Sequence, residues 1–227
     1  ERKAECIREM KTLLSFILNG NRVLYDYTGT EEGKKLFMEA LLPFHKGLSA
    51  ENNVQEAFRA DPVKKQEGLC TSAGVQYVCR AGDFRKAGLP YTGALRVLRI
   101  MMGYDYLWIN VRVKGGAYGC MNNYTRTGSG YLVSYRDPNL RKTNEIFEKS
   151  VDYTEHFDVS DRDMTKYIIG TISSMDTPLN ARAKGMRSLS AWMTGVTEEQ
   201  VQKERDEVLG CGIEEIRALA PYLKAML

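Results

Sequence analysis

Residues 112–119 form a glycine-rich junction with the sequence Arg112-Val113-Lys114-Gly115-Gly116-Ala117-Tyr118-Gly119. The junction leads into the clearest hairpin pattern of the chain, with strands at residues 117–126 and 130–135 joined by Thr127-Gly128-Ser129. Arg136-Asp137-Pro138 closes the second strand. Because strands joined by a short turn pair in antiparallel fashion, this stretch predicts the centre of an antiparallel sheet.

Both helices and strands are predicted upstream of the junction. Apolar side chains recur at helical spacing from about residue 2 to residue 18, and Asn19-Gly20-Asn21 ends that helix. Thr30 offers a cap for a second helix, which we expect to end at about Leu42 because Pro43 follows. The remaining predicted elements are a strand at 22–27, a strand at 75–80 that ends in the turn 81–83, and a helix at 94–102.

The segment just before the junction supports two interpretations. Residues 106–113 alternate apolar and polar side chains as a strand does, with Leu107, Ile109 and Val111 on one face. Leu107, Trp108 and Val111 also mark one face of a helix. Periodicity alone favours the strand.

The chain beyond Asn139 is predicted to be entirely helical. Ser160 and Thr197 are N-cap residues, Thr177-Pro178 begins another helix, and a final helix covers about 213–227. The inward faces of these helices are expected to carry Met164, Met175, Met186 and Met193. Hairpin strands followed by a long run of helices predict an α+β fold, with helices packed on one face of a mostly antiparallel sheet.

The domain organisation follows from length and from the absence of a linker. The 227 residues are enough for one sizeable core, and no Pro-rich or Gly-rich tether divides them. The longest polar stretch, residues 49–68, is interpreted as a loop. We therefore expect a single domain over residues 1–227, with two sub-lobes as a possible subdivision.

The junction carries two hydrogen-bond donors, the Arg112 guanidinium and, six residues later, the Tyr118 phenol. Such a pair can bind a carbonyl oxygen and stabilise the negative charge that develops on it during acyl transfer. Gly115 and Gly116 permit unusual backbone angles and leave room for a peptide. A plain glycine turn between a surface arginine and a core tyrosine fits the same residues. A phosphate-binding loop fits poorly, because the Walker and G-x-G-x-x-G spacings are absent.

The sequence around the junction resembles the inverted zinc metallopeptidases, the pitrilysin and insulin-degrading class, and most closely their presequence protease branch. The resemblance covers most of the chain, through the junction itself and through Val75-Gln76-Tyr77-Val78, Leu89-Pro90-Tyr91, Tyr104-Asp105-Tyr106-Leu107-Trp108 and Tyr135-Arg136-Asp137-Pro138-Asn139. It implies a processing-peptidase-type domain. It also favours a helix over residues 106–113, ending at Gly115.

The resemblance implies roles for the junction residues. Arg112 and Tyr118 would correspond to the family's catalytic, substrate-anchoring pair, which lies on a domain without metal and reaches across a closed chamber. Tyr118 would donate its hydroxyl to the scissile carbonyl, and Arg112 would bind backbone carbonyl or carboxylate groups of the substrate. The substrate groove would be shaped by Gly115, Gly116, Ala117 and Gly119.

The same resemblance implies the C-terminal part of a zinc metalloendopeptidase that degrades unfolded peptides. The zinc and the hydrolytic water would belong to an N-terminal portion of the same polypeptide, and this segment alone would be inactive. Glu1 stands in helical register with Ile7, without a preceding Met, so we expect a piece of a longer polypeptide.

The segment offers no metal site of the family's type. That signature is H-x-x-E-H with a distant glutamate, and the only imidazoles here are His45 and His156. Residues 152–156 come near to it but carry Asp152 where the first histidine belongs, and we interpret the likeness as coincidence on an exposed helix end. The irregular spacing of the five cysteines favours small buried residues over metal ligands.

Composition argues against other functional classes. The net charge of +3, with acidic and basic residues interleaved, is typical of a solvated surface and not of a nucleic-acid face. No apolar run reaches the roughly 18 residues that a membrane span needs. An odd number of cysteines without C-x-x-C fits a reducing compartment. We therefore expect a cytoplasmic protein whose partners are peptides, without nucleic acid or membrane.

Two alternatives stay open. The chain could be a binding or scaffold module of the same fold without a proteolytic role, although a scaffold does not need both Arg112 and Tyr118. Tyr124, Tyr131 and Tyr135 on the hairpin could form an aromatic surface for extended peptides, whereas packing in the core is the default interpretation.

Overall fold

The computed structural model describes residues 2–50, 68–70 and 72–227, which fall into two compact units. The helical unit comprises the described residues up to 68 together with 179–195, and the sheet unit comprises the described residues of 69–178 together with 196–227. The loop expected at 49–68 lies almost entirely outside the described residues. A single domain over residues 1–227 remains a prediction.

The helical unit contains α1 (Arg2–Ile17), α2 (Glu31–Lys46) and α6 (Ala181–Thr194). The predicted cap of α2 is confirmed, because Thr30 Oγ1 accepts a hydrogen bond from the Gly33 amide. Its predicted end is wrong, since the helix runs through Pro43 to Lys46. A proline in the last turn removes one backbone donor but does not prevent the chain from completing that turn.

Two further expectations for the helical unit are corrected. Residues 22–27 form no strand, and a 3-10 turn, Gly20–Arg22, precedes a stretch without regular secondary structure there. Met186 and Met193 are 56% and 66% exposed and do not face inward. Periodicity shows which helix face is apolar, but it cannot show whether another element covers that face.

The sheet unit is built on three antiparallel strands in the order β1-β3-β2, with β1 at Gln76–Asp83, β2 at Gly119–Tyr124 and β3 at Ser129–Asp137. The predicted β2–β3 hairpin is confirmed. The turn expected at 81–83 is wrong, because β1 continues through Asp83, which pairs with Ser129. The strand is longer than its own residue preferences indicate because β3 offers it ladder partners up to that point.

The helices of the sheet unit are α3 (Ala94–Met101), a π-helix (Met102–Val113), α4 (Leu140–Glu155), α5 (Asp161–Met175), α7 (Glu198–Leu209), α8 (Ile213–Arg217) and α9 (Ala220–Met226). The helical interpretation of 106–113 is confirmed: Leu107 and Val111 are fully buried, whereas Val113 is 63% exposed.

Among the helices expected in the second half of the chain, some starts are correct and others are wrong. The caps at Ser160 and Thr197 are confirmed. The helix expected to start at Thr177-Pro178 begins instead after Asn180, whose side chain accepts from the Ala183 amide. The single final helix is in fact two, because the chain turns between α8 and α9 at residues 218–219.

The sheet has two chemically different faces. On the inner face, Val78, Leu132 and Tyr124 are buried beneath the helices, and Ser134 is buried with them. The outer face carries Tyr77, Cys79, Met121, Tyr131, Val133 and Tyr135, all at least partly exposed. Helices on one face of an antiparallel sheet confirm the predicted α+β class. The expectation that the hairpin tyrosines pack in the core is confirmed for Tyr124. It is wrong for Tyr131 and Tyr135, because side chains alternate along β3 and these two lie on the outer face while Leu132 lies on the inner one.

Among the helices that the structure describes, none combines the length and the apolar character needed to cross a bilayer.

Gly82 and Gly130 pair across β1 and β3, and their missing side chains leave space for the C-terminal helix α9 to pack against the sheet. A Cβ at Gly82 would lie 2.7 Å from the Met226 Cα and 3.0 Å from the Ala225 carbonyl oxygen. We expect Gly82→Ala to lower the free energy of unfolding by about 1–3 kcal/mol, because α9 must move away from β1. Denaturant titration measures this loss. Gly74→Ala is the control, since no atom lies within 4 Å of its added Cβ, and equal stability of the two variants would contradict the packing argument.

A charged cluster joins α7 to α3 and to the hairpin. The Glu204 carboxylate, whose side chain is only 9% exposed, accepts hydrogen bonds from both Arg96 and Arg126. Burial by itself would raise the pKa of Glu204, but the hydrogen bonds from Arg126 and Arg96 outweigh it and hold the pKa below its ordinary value.

Glu204→Gln tests this cluster. Removing the carboxylate leaves two arginines without their partner. Because each arginine is about a third exposed, we expect the free energy of unfolding to fall by about 1–3 kcal/mol, which is less than for a fully buried pair. The folded-state pKa lies below the unfolded value near 4.5. The stabilisation is therefore complete above that value and disappears as the pH falls through the folded-state pKa.

Denaturant titrations between pH 3 and pH 7 check both expectations. The wild-type chain should lose stability relative to Glu204→Gln as the solution is acidified. Glu145→Gln, an exposed position on α4, should follow the wild type at every pH. A constant difference between the wild type and Glu204→Gln would contradict the assignment.

Candidate functional site

Arg112 lies in the last turn of the π-helix, where two contacts fix its side chain. Its Nη1 donates a hydrogen bond to the carbonyl oxygen of Tyr118 at 3.0 Å, and its Cζ lies 4.2 Å from the centroid of the Trp108 ring. Stacking of a guanidinium on an indole contributes about 0.5–1 kcal/mol at an exposed site. The arginine is thus held in place while most of its N–H donors stay available.

The glycines of the junction reverse the chain between the π-helix and β2. A Cβ at Gly115 would overlap the carbonyl oxygen of Val111, and Gly116 has a φ of +80°. Asn139 Nδ2 donates to the Gly115 carbonyl oxygen and holds the turn against the start of α4. Only glycine fits both positions without strain. The reversal brings Tyr118 back beside Arg112.

Tyr118 is exposed, which argues against a core tyrosine at this position. Its side chain is 64% exposed, and none of the described residues makes a hydrogen bond to its hydroxyl. The ring packs edge-on against Tyr135 with centroids 5.5 Å apart, and Tyr135 packs in the same way against Tyr77 at 5.2 Å. These three side chains, Tyr77, Tyr135 and Tyr118, form a tyrosine row along the outer face of the sheet.

The other junction residues differ in accessibility. Ala117 is 4% exposed and belongs to the hydrophobic core, so its burial does not support a place in a substrate groove. Gly119 pairs with Tyr135 across β2 and β3 and is partly exposed. The groove role of Gly115, Gly116, Ala117 and Gly119 remains a prediction.

Arg136 belongs to the segment 135–139 that resembles the family, but its position in the sequence did not predict a role in the site. Its guanidinium lies 5.8 Å from the centroid of the Tyr118 ring. The neighbouring Asp137 is fully buried. Its carboxylate accepts hydrogen bonds from the backbone N–H of Asn139 at 2.8 Å and from Thr143 Oγ1 at 2.7 Å. The strand-closing position before Pro138 was the only sequence signal, and it does not indicate where the arginine points.

The thiol of Cys120 reports the electrostatics of the site. Burial raises its pKa to about 11, while the positive charge of Arg112 lowers it and the negative charge of Asp137 raises it. The thiol on β2 therefore senses the presence of Arg112.

Possible metal ligands come together at one place in the part of the chain that the structure describes. Among the described residues, one group places three possible ligand atoms within 4.8 Å of one another, Asp152, Glu155 and His156 at the exposed end of α4. With one imidazole, which contacts Asp152, this set does not fit the two-histidine zinc site of the resembled family. In the helical unit, His45 Nδ1 lies 3.2 Å from the Tyr25 hydroxyl.

The chain shares its fold with solved structures. A putative zinc protease from Bordetella pertussis superposes with a TM-score of 0.51 at 10% identity, over 66% of this chain and 87% of that chain. At this identity the likeness shows the fold alone.

The family follows from the sequence match. Residues 66–225 match the model of the PreP C-terminal domain, and the chain belongs to that family. The predicted membership of the inverted zinc metallopeptidases is thereby confirmed.

Two of the relatives with similar sequences cover the chain in full or in large part. Protein HypA of Clostridium perfringens is 37% identical over 100% of this chain and 23% of the relative. Presequence protease 1, chloroplastic/mitochondrial, of Arabidopsis thaliana is 35% identical over 69% of this chain and 14% of the relative. The chain thus spans less than a quarter of the length of either relative.

Cys120 provides a test of the Arg112 position. Replacing Arg112 by Gln removes the positive charge that favours the thiolate, so we expect the pKa of Cys120 to rise and its alkylation by iodoacetamide at a fixed pH near 9 to slow. Peptide mapping by mass spectrometry measures the rate. Lys114→Gln is the charge-matched control and should alkylate like the wild type, as should the exposed Cys70 in every variant. An unchanged Cys120 rate in Arg112→Gln would show that the guanidinium lies elsewhere.

Proposed function

We propose that this chain is the metal-free C-terminal part of a zinc metalloendopeptidase that degrades unfolded peptides, and that Arg112 and Tyr118 bind the substrate and its transition state. The observation that carries the proposal is the convergence of the two side chains. The Arg112 guanidinium lies 5.9 Å from the centroid of the Tyr118 ring, and both side chains are accessible at one end of the outer sheet face. A pair facing apart, or shut inside the core, would not support it.

The chemistry assigns each donor a separate task. The Tyr118 hydroxyl donates to the carbonyl oxygen of the scissile bond as negative charge develops there, and loss of one such donor typically removes about 2.7–4 kcal/mol of transition-state stabilisation. The Arg112 N–H groups that do not bind the Tyr118 carbonyl oxygen bind carbonyl or carboxylate groups of the peptide. Trp108 holds the guanidinium in place, which reduces the reorganisation needed when substrate binds.

The remaining parts of the active site are assigned to the rest of the parent polypeptide. The zinc and the hydrolytic water belong to its N-terminal portion, which forms the other wall of a peptide chamber. This segment alone is then expected to hydrolyse nothing. A cytoplasmic location remains a prediction, which the five free cysteines support.

A scaffold or binding module of the same fold is the second candidate. It predicts no need for an accessible phenol and guanidinium at one place, so the exposure of Tyr118 favours the peptidase. The coding sequence upstream of Glu1 discriminates between the two: an H-x-x-E-H motif favours the peptidase, and its absence favours the scaffold.

Tyr118→Phe in the full-length parent protein tests the catalytic assignment. We expect kcat to fall about 100- to 1000-fold, because the ring and its packing on Tyr135 remain while the donor is lost. Tyr104→Phe removes an equally exposed hydroxyl elsewhere and should leave kcat unchanged. Thermal unfolding and metal analysis should show the same fold and zinc content in both variants. Undiminished turnover of Tyr118→Phe would remove the assignment.

A further inference from the structure

The end of the sheet nearest Tyr118 contains a β-bulge. Gln76 pairs with Asp137 and Val78 pairs with Ser134, so Tyr77 on β1 stands opposite two residues of β3, Tyr135 and Arg136. A bulge disrupts the ladder locally and changes the direction in which a side chain points. Arg136 has a φ of +47°, in the left-handed region that residues other than glycine rarely adopt.

The bulge places two consecutive side chains on the same surface. In a regular strand, neighbours point to opposite faces. Here the Arg136 Cζ lies 5.4 Å from the centroid of the Tyr135 ring and 5.8 Å from that of Tyr118. Arg136 therefore lies over the tyrosine row, where Arg112 also contacts the Tyr118 ring at 5.9 Å.

Arg136 has no partner for its charge among the residues that the structure describes, since none of them pairs with it or accepts a hydrogen bond from its guanidinium. The arginines of the sheet unit that do pair with carboxylates are Arg80, Arg96, Arg126, Arg205 and Arg217. The buried carboxylate of the adjacent Asp137 makes no ion pair with Arg136; its two oxygens accept hydrogen bonds from the Asn139 backbone N–H and from Thr143 Oγ1. Arg136 is therefore an accessible guanidinium on the tyrosine row to which none of the described residues supplies an anion.

We propose that Arg136 forms a subsite that binds the carboxylate of an Asp or Glu side chain in the peptide substrate, close to the scissile bond. The inference rests on the proposed function and adds a substrate preference to it. A guanidinium presents parallel N–H donors that match the two oxygens of a carboxylate. The tyrosine rings beside it provide an apolar surface that strengthens the pairing by limiting access of water.

The same surface favours an internal acidic residue over a terminal carboxylate. The tyrosine row continues past Arg136 from Tyr135 to Tyr77, with Cys79 and Val133 beyond. This gives the peptide residues on the far side of the acidic position a surface to contact. A peptide that ended at Arg136 would leave that surface unused.

The test uses the full-length parent protein and pairs of peptides that differ only by Glu or Gln. All peptides carry a C-terminal amide, and the variable position is moved through the residues on both sides of the cleaved bond. We expect wild type to prefer Glu at one position by about 10-fold in kcat/KM, as one charge-assisted hydrogen bond supplies. In Arg136→Gln that ratio should fall to near 1, because the Glu peptide loses its guanidinium partner and the Gln peptide has no charge to lose.

Two further variants separate a subsite from general effects. Lys114→Gln removes an exposed positive charge from the same junction and should keep the Glu preference. Arg136→Gly suits the positive φ and should fold as the wild type does, yet it should lose the preference as Arg136→Gln does. Equal cleavage of Glu and Gln peptides by the wild type, or an unchanged ratio in Arg136→Gln, would overturn the inference. The same pairs are also made with a free C-terminal carboxylate, and a preference that appears only with the free carboxylate and not with the internal Glu would also overturn the inference.

Failure of the proposed function is recognised separately. If the parent protein cleaves no peptide, the proposed peptidase function fails. The same peptide pairs, now carrying a fluorescent label, are then compared for binding by fluorescence anisotropy. About 10-fold tighter binding of one Glu peptide, lost in Arg136→Gln and kept in Lys114→Gln, would sustain the subsite. Equal affinities for all pairs would overturn it.

Discussion

The chain reversal at Gly115 and Gly116 is the constraint on which the site depends. The carbonyl oxygen of Val111 occupies the space that a side chain at residue 115 would need, and the positive φ of Gly116 directs the backbone into β2. The hydrogen bond from Asn139 to the Gly115 carbonyl joins this turn to the beginning of α4. Because the turn is so tight, an arginine at the end of the π-helix meets a tyrosine that stands just before β2.

The π-helix before the turn has a related consequence. Its wider hydrogen-bond pattern ends with the Lys114 amide bonded to the Ile109 carbonyl oxygen. Such helices are rare, and they occur frequently at functional sites. Here the π-helix buries Leu107 and Val111 against the sheet while Trp108 and Arg112 remain on its accessible side. The segment thereby contributes to the core and to the site at once.

The two faces of the sheet divide stability from recognition. The inner face packs beneath the helices, and the Gly82 and Gly130 pair and the Glu204 cluster tie those helices to the strands. The outer face exposes the tyrosine row, with the guanidiniums of Arg112 and Arg136 at 5.9 Å and 5.8 Å from the Tyr118 ring centroid. Since β3 contributes Leu132 to one face and Tyr135 to the other, its central position in the sheet serves both.

The α+β class, the hairpin, the Ser160 and Thr197 caps, and the Arg112 and Tyr118 candidates followed from the sequence, because turn chemistry, capping and residue type are local properties. The end of α2, the length of β1, the split between α8 and α9, and the exposure of Tyr135 and Met186 did not. These depend on which surfaces meet, and that is a property of distant parts of the chain. The position of Arg136 on the outer face likewise depends on the tertiary structure, because a bulge arises only when β1 and β3 pair with unequal numbers of residues.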